Sequence, residues 1–191
     1  MIGTSGSGKT TFGQHLAAVS GAPFIELDAI HWGPDWTPLD KEPFRQRVAD
    51  QVAGQLWVID GNYSAVRDLV WGRATAIIWL NYSLPRTFWR VFSRTMRRVF
   101  TREKLYSGNV ETIKLLFFDR ESLLWWVLTT HGNRRQRFGA MLGGGVYQGI
   151  PVIEFNRPRQ AEVFLERYRQ SVGGKRLFFE YTASLAVDNH M

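Results

Sequence analysis

The first eight residues after Ile2 carry the clearest chemistry in the chain. Gly3-Thr4-Ser5-Gly6-Ser7-Gly8-Lys9-Thr10 fits the pattern G-x-x-x-x-G-K-[ST] at every fixed position. Glycines at these places let the backbone curl until successive N–H groups point inward, which makes an anion nest at a helix N-terminus. In such a loop the lysine reaches the β- and γ-phosphates of a nucleoside triphosphate and the threonine hydroxyl ligates Mg²⁺. Phe12, Leu16 and Val19 follow at helical spacing, so the loop opens a helix as the pattern requires. The bland alternative is a flexible Gly/Ser terminus. The expected ligands are ATP and Mg²⁺, on Lys9 and Thr10.

Two carboxylates end apolar runs, where open α/β sheets place their ligands. Asp60 closes Leu56-Trp57-Val58-Ile59 and precedes Gly61-Asn62-Tyr63. It is a candidate to hold Mg²⁺ through water or to face an acceptor, against the plain reading of an Asp-Gly-Asn turn. Asp28 closes Phe24-Ile25-Glu26-Leu27 and is a candidate to take a proton from an acceptor or orient it for in-line attack, against a cap. His31 beside Trp32 reads as a packed loop residue. The histidines, at 15, 31, 131 and 190, lack metal-ligand spacing.

Arg86, Arg90, Arg94, Arg98 and Arg102 recur every four residues, with Arg97 beside them. At about 100° per residue they share one broad arc, and Phe88, Trp89, Phe92, Met96, Val99 and Phe100 fill the opposite one. The arc reads as a lid that brings Arg94 and Arg98 to a transferring phosphoryl group. A solvated basic face and a nucleic-acid surface are the alternatives. Thr101–Val110 reads as a mobile stretch after the helix. Arg134-Arg135-Gln136-Arg137 is a second basic cluster, and Trp125-Trp126 reads as core.

The elements that must position these groups alternate short apolar runs with amphipathic stretches, the βαβα rhythm of an α/β protein with a parallel sheet. Strands are expected near Phe24–Leu27, Leu56–Asp60, Thr75–Leu80 and Ile150–Phe155, and helices near 9–19, 38–53, 64–71, 85–100, 120–130 and 158–170. Pro38 and Pro158 are each expected at a first helical position. Only Met1 and Ile2 precede the glycine loop, so the first strand is expected to be truncated. One domain spans residues 1–172, with the lid at about 86–118 and an appendage at 173–191.

The 191 residues carry a formal charge of +7 and no cysteine, with a pI near 10.0. The surplus suits polyanionic ligands, and the missing thiols exclude disulfides, thiolate metal sites and a cysteine nucleophile. The longest apolar run, Leu123–Leu128, is far below the roughly 18 residues of a membrane span. A soluble, cytoplasmic protein is expected.

Taken together, Gly3–Thr11, Leu27-Asp28-Ala29-Ile30-His31-Trp32 with Pro34 and Trp36, Trp57–Tyr63, Ile77–Leu80, the arginine helix and Phe155-Asn156-Arg157-Pro158 resemble the small P-loop kinases related to adenylate kinase. More narrowly they look like the family labelled DNA topology modulation protein, or FlaR-like. The resemblance implies a P-loop NTPase three-layer α/β/α fold, strand order 2-3-1-4-5, and a helical arginine-bearing lid after the fourth strand. It implies ATP at Gly3, Thr4, Ser5, Gly6, Ser7, Gly8, Lys9, Thr10 and Thr11, with the adenine resting at Arg157. Asn62-Tyr63 stands where adenylate kinases carry Phe-Pro-Arg, and Asn81 where relatives carry aspartate, so the acceptor is expected to differ from AMP. The expected activity is γ-phosphoryl transfer from Mg·ATP to a small acceptor such as a nucleotide or nucleoside. The alternative is a nucleotide-binding regulator that acts on DNA without acceptor-specific kinase activity.

Overall fold

The computed structural model describes residues 1–111, 123–144 and 149–171. Five parallel strands alternate with helices: β1 Ile2–Gly3, β2 Phe24–Glu26, β3 Val58–Asp60, β4 Ile77–Leu80 and β5 Val152–Phe155. The helices are α1 Lys9–Ser20, α2 Leu27–His31, α3 Lys41–Gln51, α4 Arg67–Trp71, α5 Leu84–Thr101, α6 Leu123–Gly143 and α7 Pro158–Gln170. The expected appendage, the end of the expected lid beyond Glu111 and the start of the expected helix at 120 lie outside the described residues.

Strand β4 shows how the layers form. All four of its residues are buried, as a strand covered on both faces must be. Ile78 and Leu80 join Phe12, Leu16, Phe155 and Phe164 under α1 and α7. Ile77 and Trp79 join Phe44, Val48, Val70 and Phe138 under α3, α4 and α6. The period-2 alternation of one strand therefore feeds two cores, each fully buried phenylalanine contributing on the order of 1.5–3 kcal/mol.

The strands hydrogen-bond as two sheets, β1-β4-β5 and β2-β3, every pair parallel. Strand β1 pairs over only two residues, Ile2 with Trp79 and Gly3 with Leu80. A cleft of about 420 Å³, lined by Met1, Val58, Ile59, Ile77 and Ile78 among others, parts β3 from β4 at the end away from the glycine loop. The Met1 amino group reaches across to the Ile59 carbonyl at 2.6 Å, and burial holds it low, at about 6.

Several elements differ from the sequence reading. Pro158 does open α7, with Gln160 Oε1 accepting from the Asn156 and Arg157 amides at 2.9 and 3.0 Å. Pro38 opens no helix: it pairs with Trp32 in an antiparallel bridge, and α3 begins three residues later. A proline's fixed φ suits extended backbone as well as a first helical turn. The expected helix ending at Thr130 runs on to Gly143, because His131, Phe138 and the partly buried Leu142 keep facing the protein. Trp125, expected in the core, is 60% exposed. No helix among the described residues is long and apolar enough to cross a membrane.

Candidate functional site

The glycine loop joins β1 to α1 with positive φ at Gly3, Gly6 and Gly8. Gly6 shows why one of these is fixed. Its φ is +79°, and a Cβ there would lie 2.2 Å from Val91 Cγ2 and 2.8 Å from the Thr87 carbonyl. Helix α5 therefore packs straight onto the loop. At Gly8, which caps α1, a Cβ would meet the Arg90 guanidinium at 2.8 Å. An arginine is thus held over a helix N-terminus whose first N–H groups have no intrahelical partner.

Lys9 leads α1 and donates to the Thr4 carbonyl at 3.2 Å. Burial lowers its pKa, opposed by Asp60 and Asp28 and reinforced by Arg134 and Arg94. Thr4 and Ser7 are buried, and neither hydroxyl has a partner among the described residues. Ser5 is half-buried, and Thr11 is exposed on the first turn.

Thr10 Oγ1 donates to Asp60 Oδ2 at 2.7 Å and approaches Glu26 Oε1 at 3.4 Å. Asp60 is 4% exposed, and its Oδ1 has no partner among the described residues. A buried carboxylate oxygen without a donor costs free energy unless something positive meets it. An aligned hydroxyl and carboxylate are hard oxygen donors that suit Mg²⁺, which keeps much of its water shell and takes few protein ligands. Among the described residues no group of three or more His, Cys, Asp or Glu side chains is arranged to hold a metal by itself.

The loop is also braced from β3. Asn62 Nδ2 donates to the Gly3 carbonyl at 2.5 Å, and its Oδ1 accepts from the Gly3 amide at 3.3 Å. The two residues that depart from the adenylate-kinase pattern therefore have partners inside the site: Asn62 holds the loop, and Tyr63 donates to Asp28 Oδ1 at 2.6 Å. Asp28 itself is exposed. His31 packs edge-on to Trp32 and tilted against Phe44 and Tyr63, with burial lowering its pKa.

The arginine helix is rotated from its expected setting. Its buried stripe is Thr87, Val91 and Thr95. The apolar arc divides: Phe88, Phe92 and Met96 pack with Leu124 and Val127 of α6, whereas Trp89 and Phe100 are 65% and 76% exposed. A spacing of four advances about 40° per step beyond a full turn, so the arginine ladder winds from solvent toward the site. Arg86 is exposed, Arg90 lies over Gly8, and Arg94 is the most desolvated. Burial and then Arg98 lower the Arg94 pKa, while Glu111, Tyr106 and Asp28 oppose the change. Its Nε has no partner among the described residues. Arg98 is engaged elsewhere, with Glu103 at 3.4 Å and Glu111 at 3.1 Å.

Three residues of the site were not singled out from the sequence. Glu26 accepts from the Tyr106 hydroxyl, and Asn109 is buried against the loop that follows Asp28. Glu26 alone had a signal, as a carboxylate two residues before Asp28. Of the second basic cluster, Arg134 is partly buried, stacks 4.1 Å over Trp126 and acts electrostatically on Lys9 and Tyr63. Arg157 is exposed at the start of α7, and no hydrogen bond joins it to the glycine loop among the described residues.

The site therefore brings a glycine loop, one lysine, a Thr–Asp pair, two further carboxylates and an arginine helix together above the carboxyl ends of parallel strands. That constitution defines an α/β protein with a small parallel sheet and a glycine loop that opens its first helix. No known protein family, curated protein or solved structure matches the chain.

Proposed function

We propose that this chain is a P-loop kinase that transfers the γ-phosphoryl group of Mg·ATP to the hydroxyl or phosphate oxygen of a small acceptor. The observation that carries the reading is the 2.7 Å bond between Thr10 and Asp60, made beside Lys9 by residues 50 apart. A flexible terminus has no reason to align a loop threonine with a buried strand-end carboxylate. The proposed fold is the P-loop type, with the two sheets read as halves of the order 2-3-1-4-5.

In this reading the loop amides, Lys9 and Arg90 bind the phosphates, and Thr10 and Asp60 hold Mg²⁺, which neutralises phosphate charge when bound. Arg94 faces the developing charge on the transferring group. Tyr63 fixes one oxygen of Asp28 and leaves the other for the acceptor, which separates the roles of the two aspartates: Asp60 toward the metal, Asp28 toward the acceptor. For a hydroxyl acceptor, its oxygen bonds to the γ-phosphorus as the bridging P–O bond breaks. ADP leaves with that electron pair, and Asp28 takes the proton.

The test is ADP release from Mg·ATP, alone and with nucleoside monophosphates, nucleosides and small phosphorylatable metabolites. Strong stimulation by one compound, abolished by Lys9→Ala, is the expected result. Full activity in Lys9→Ala would remove the assignment. Bound ATP with uniformly slow release, together with salt-sensitive binding to DNA, would favour the regulatory alternative.

A further inference from the structure

The segment that follows the arginine helix looks from its sequence like a loose connection, but its backbone closes on itself and several of its side chains are engaged. Residues 104–110 form a closed turn. Lys104 bridges Val110, Leu105 N donates to the Asn109 carbonyl at 2.7 Å, and Gly108 N donates to the Leu105 carbonyl at 3.0 Å. Arg98 clasps both ends, holding Glu103 on one side and Glu111 on the other.

The turn is fastened in the other direction to the loop carrying Asp28. Asn109 is 6% exposed. Its carboxamide uses both ends, Nδ2 donating to the Gly33 carbonyl at 2.8 Å and Oδ1 accepting from the Trp36 amide at 3.1 Å. Ser107 Oγ donates to the Trp32 carbonyl at 2.9 Å, and Tyr106 donates to Glu26, which Thr10 also approaches. The receiving loop is itself stiff: Gly33 N donates to Thr37 O at 2.8 Å and Leu39 N to His31 O at 2.7 Å. Asp35 and Trp36 both adopt left-handed backbone, with φ of 52° and 55°, a strained pairing that persists only when neighbours hold it.

We propose that Asn109 is a positioning residue for phosphoryl transfer: it locks the turn at 104–110 into the 32–37 loop, so that Arg94 and Asp28 face one another at fixed separation. The inference rests on the kinase reading for its catalytic consequence and on the geometry alone for the lock. Arg98 belongs to the same device. Its guanidinium acts through Glu103 and Glu111 on the turn, and the turn acts through Asn109 on the acceptor side. Phosphoryl transfer depends mostly on such positioning, and a displacement of about 1 Å can cost about 100-fold in rate.

The experiment compares the full chain with Asn109→Ala and Asn109→Asp by amide exchange, Mg·ATP affinity and ADP release. Asn109→Ala is expected to raise exchange at 32–38 and 104–110 about tenfold while α1 and α7 keep their protection. ADP release is expected to fall roughly tenfold or more, with Mg·ATP affinity held within about twofold, because among the described residues the turn makes no direct hydrogen bond to the glycine loop or Lys9 and reaches Thr10 only through Glu26. Asn109→Asp keeps the acceptor for the Trp36 amide and loses the donor to Gly33, and is expected to fall between. Unchanged exchange in Asn109→Ala overturns the lock. Affinity and release falling together, with exchange rising throughout the chain, overturns the positioning role in favour of plain structure. If Lys9→Ala shows that the kinase reading fails, the exchange arm still decides the lock.

Discussion

Val91 of the arginine helix rests directly on Gly6 of the glycine loop, close enough that a Cβ on Gly6 would lie 2.2 Å from its Cγ2. Loop and helix are therefore one packed unit, and Arg90 and Arg94 take their places from that contact. Gly6→Ala would have to displace a fully buried valine while holding a φ of +79°. Overpacking and left-handed strain together cost about 2–4 kcal/mol. Thermal melting is expected to fall by roughly 5 °C or more, with ADP release lost more completely than stability. A variant that melts and turns over like the wild type would mean that the helix does not rest on the loop.

The Thr10–Asp60 pair makes a different claim, about metal. Thr10→Val keeps the shape and removes the hydroxyl, and Asp60→Asn keeps the shape and removes the charge. Both are expected to weaken ATP binding about 10–100-fold in the presence of Mg²⁺ and to leave metal-free binding nearly unchanged. A Mg²⁺ titration of ATP affinity reads this directly. Equal losses with and without the metal would place the two residues in loop structure alone.

Glu26 sets a pH dependence. Burial is the largest influence on its carboxyl and raises its pKa above the ordinary 4.5; Asp60 and Asp28 add to the rise, and hydrogen bonds from Tyr106 and Thr10 oppose it. The folded chain then binds a proton that the unfolded chain has lost, so this group's contribution is present below about pH 4.5 and fades as pH rises through the folded value. Glu26→Gln keeps a partner for Tyr106 and does not titrate. Because the site is only half-buried, solvent screening reduces the gain, and the expected rise in melting temperature is about 2 °C at pH 8 and none near pH 4. Melts at the two pH values test the sign, and a variant less stable at pH 8 would show that the charge is welcome there.

The parts of the site legible in the sequence are those whose chemistry is local. The glycine loop and Lys9 are contiguous, and Asp28 and Asp60 reveal themselves by ending apolar runs. Glu26 to Tyr106 spans 80 residues, and Asn109 to Gly33 spans 76; no periodicity links positions that far apart. The arginine ladder was legible as a helix but not in its rotation, because facing a protein and facing water are both open to an arginine with a long apolar stem. Trp89 and Phe100 belong to the apolar arc and yet face solvent, because the inward stripe at Thr87, Val91 and Thr95 is made of smaller residues that let α5 approach the loop. Pro158 and Pro38 gave the same signal and had different outcomes, since a fixed φ does not choose between a helix start and an extended bridge.

Arg94 and Arg98 lie four residues apart in opposite surroundings, one without an ion pair among the described residues and the other between two glutamates. Arg94 is half-buried, its buried Nε has no partner among the described residues, and burial already lowers its pKa. Replacing it by methionine removes an expensive charge, so Arg94→Met is expected to melt at or slightly above the wild-type temperature. On the proposed kinase reading the same change removes the cation that faces the transferring group, for which a loss of about 100–1,000-fold in ADP release is expected. Arg98→Met instead leaves the half-buried Glu111 without its cation and Glu103 with Arg97 alone, at 3.3 Å, which loosens both ends of the 104–110 turn. Its expected signature is a melting temperature lower by roughly 3 °C or more, with the activity loss tracking the loosened turn. Melting and ADP release measured on the two variants side by side separate the roles. If Arg98→Met cost activity at full stability while Arg94→Met cost stability, the two roles would have to be exchanged, and the lid would act through its clasped arginine rather than its buried one.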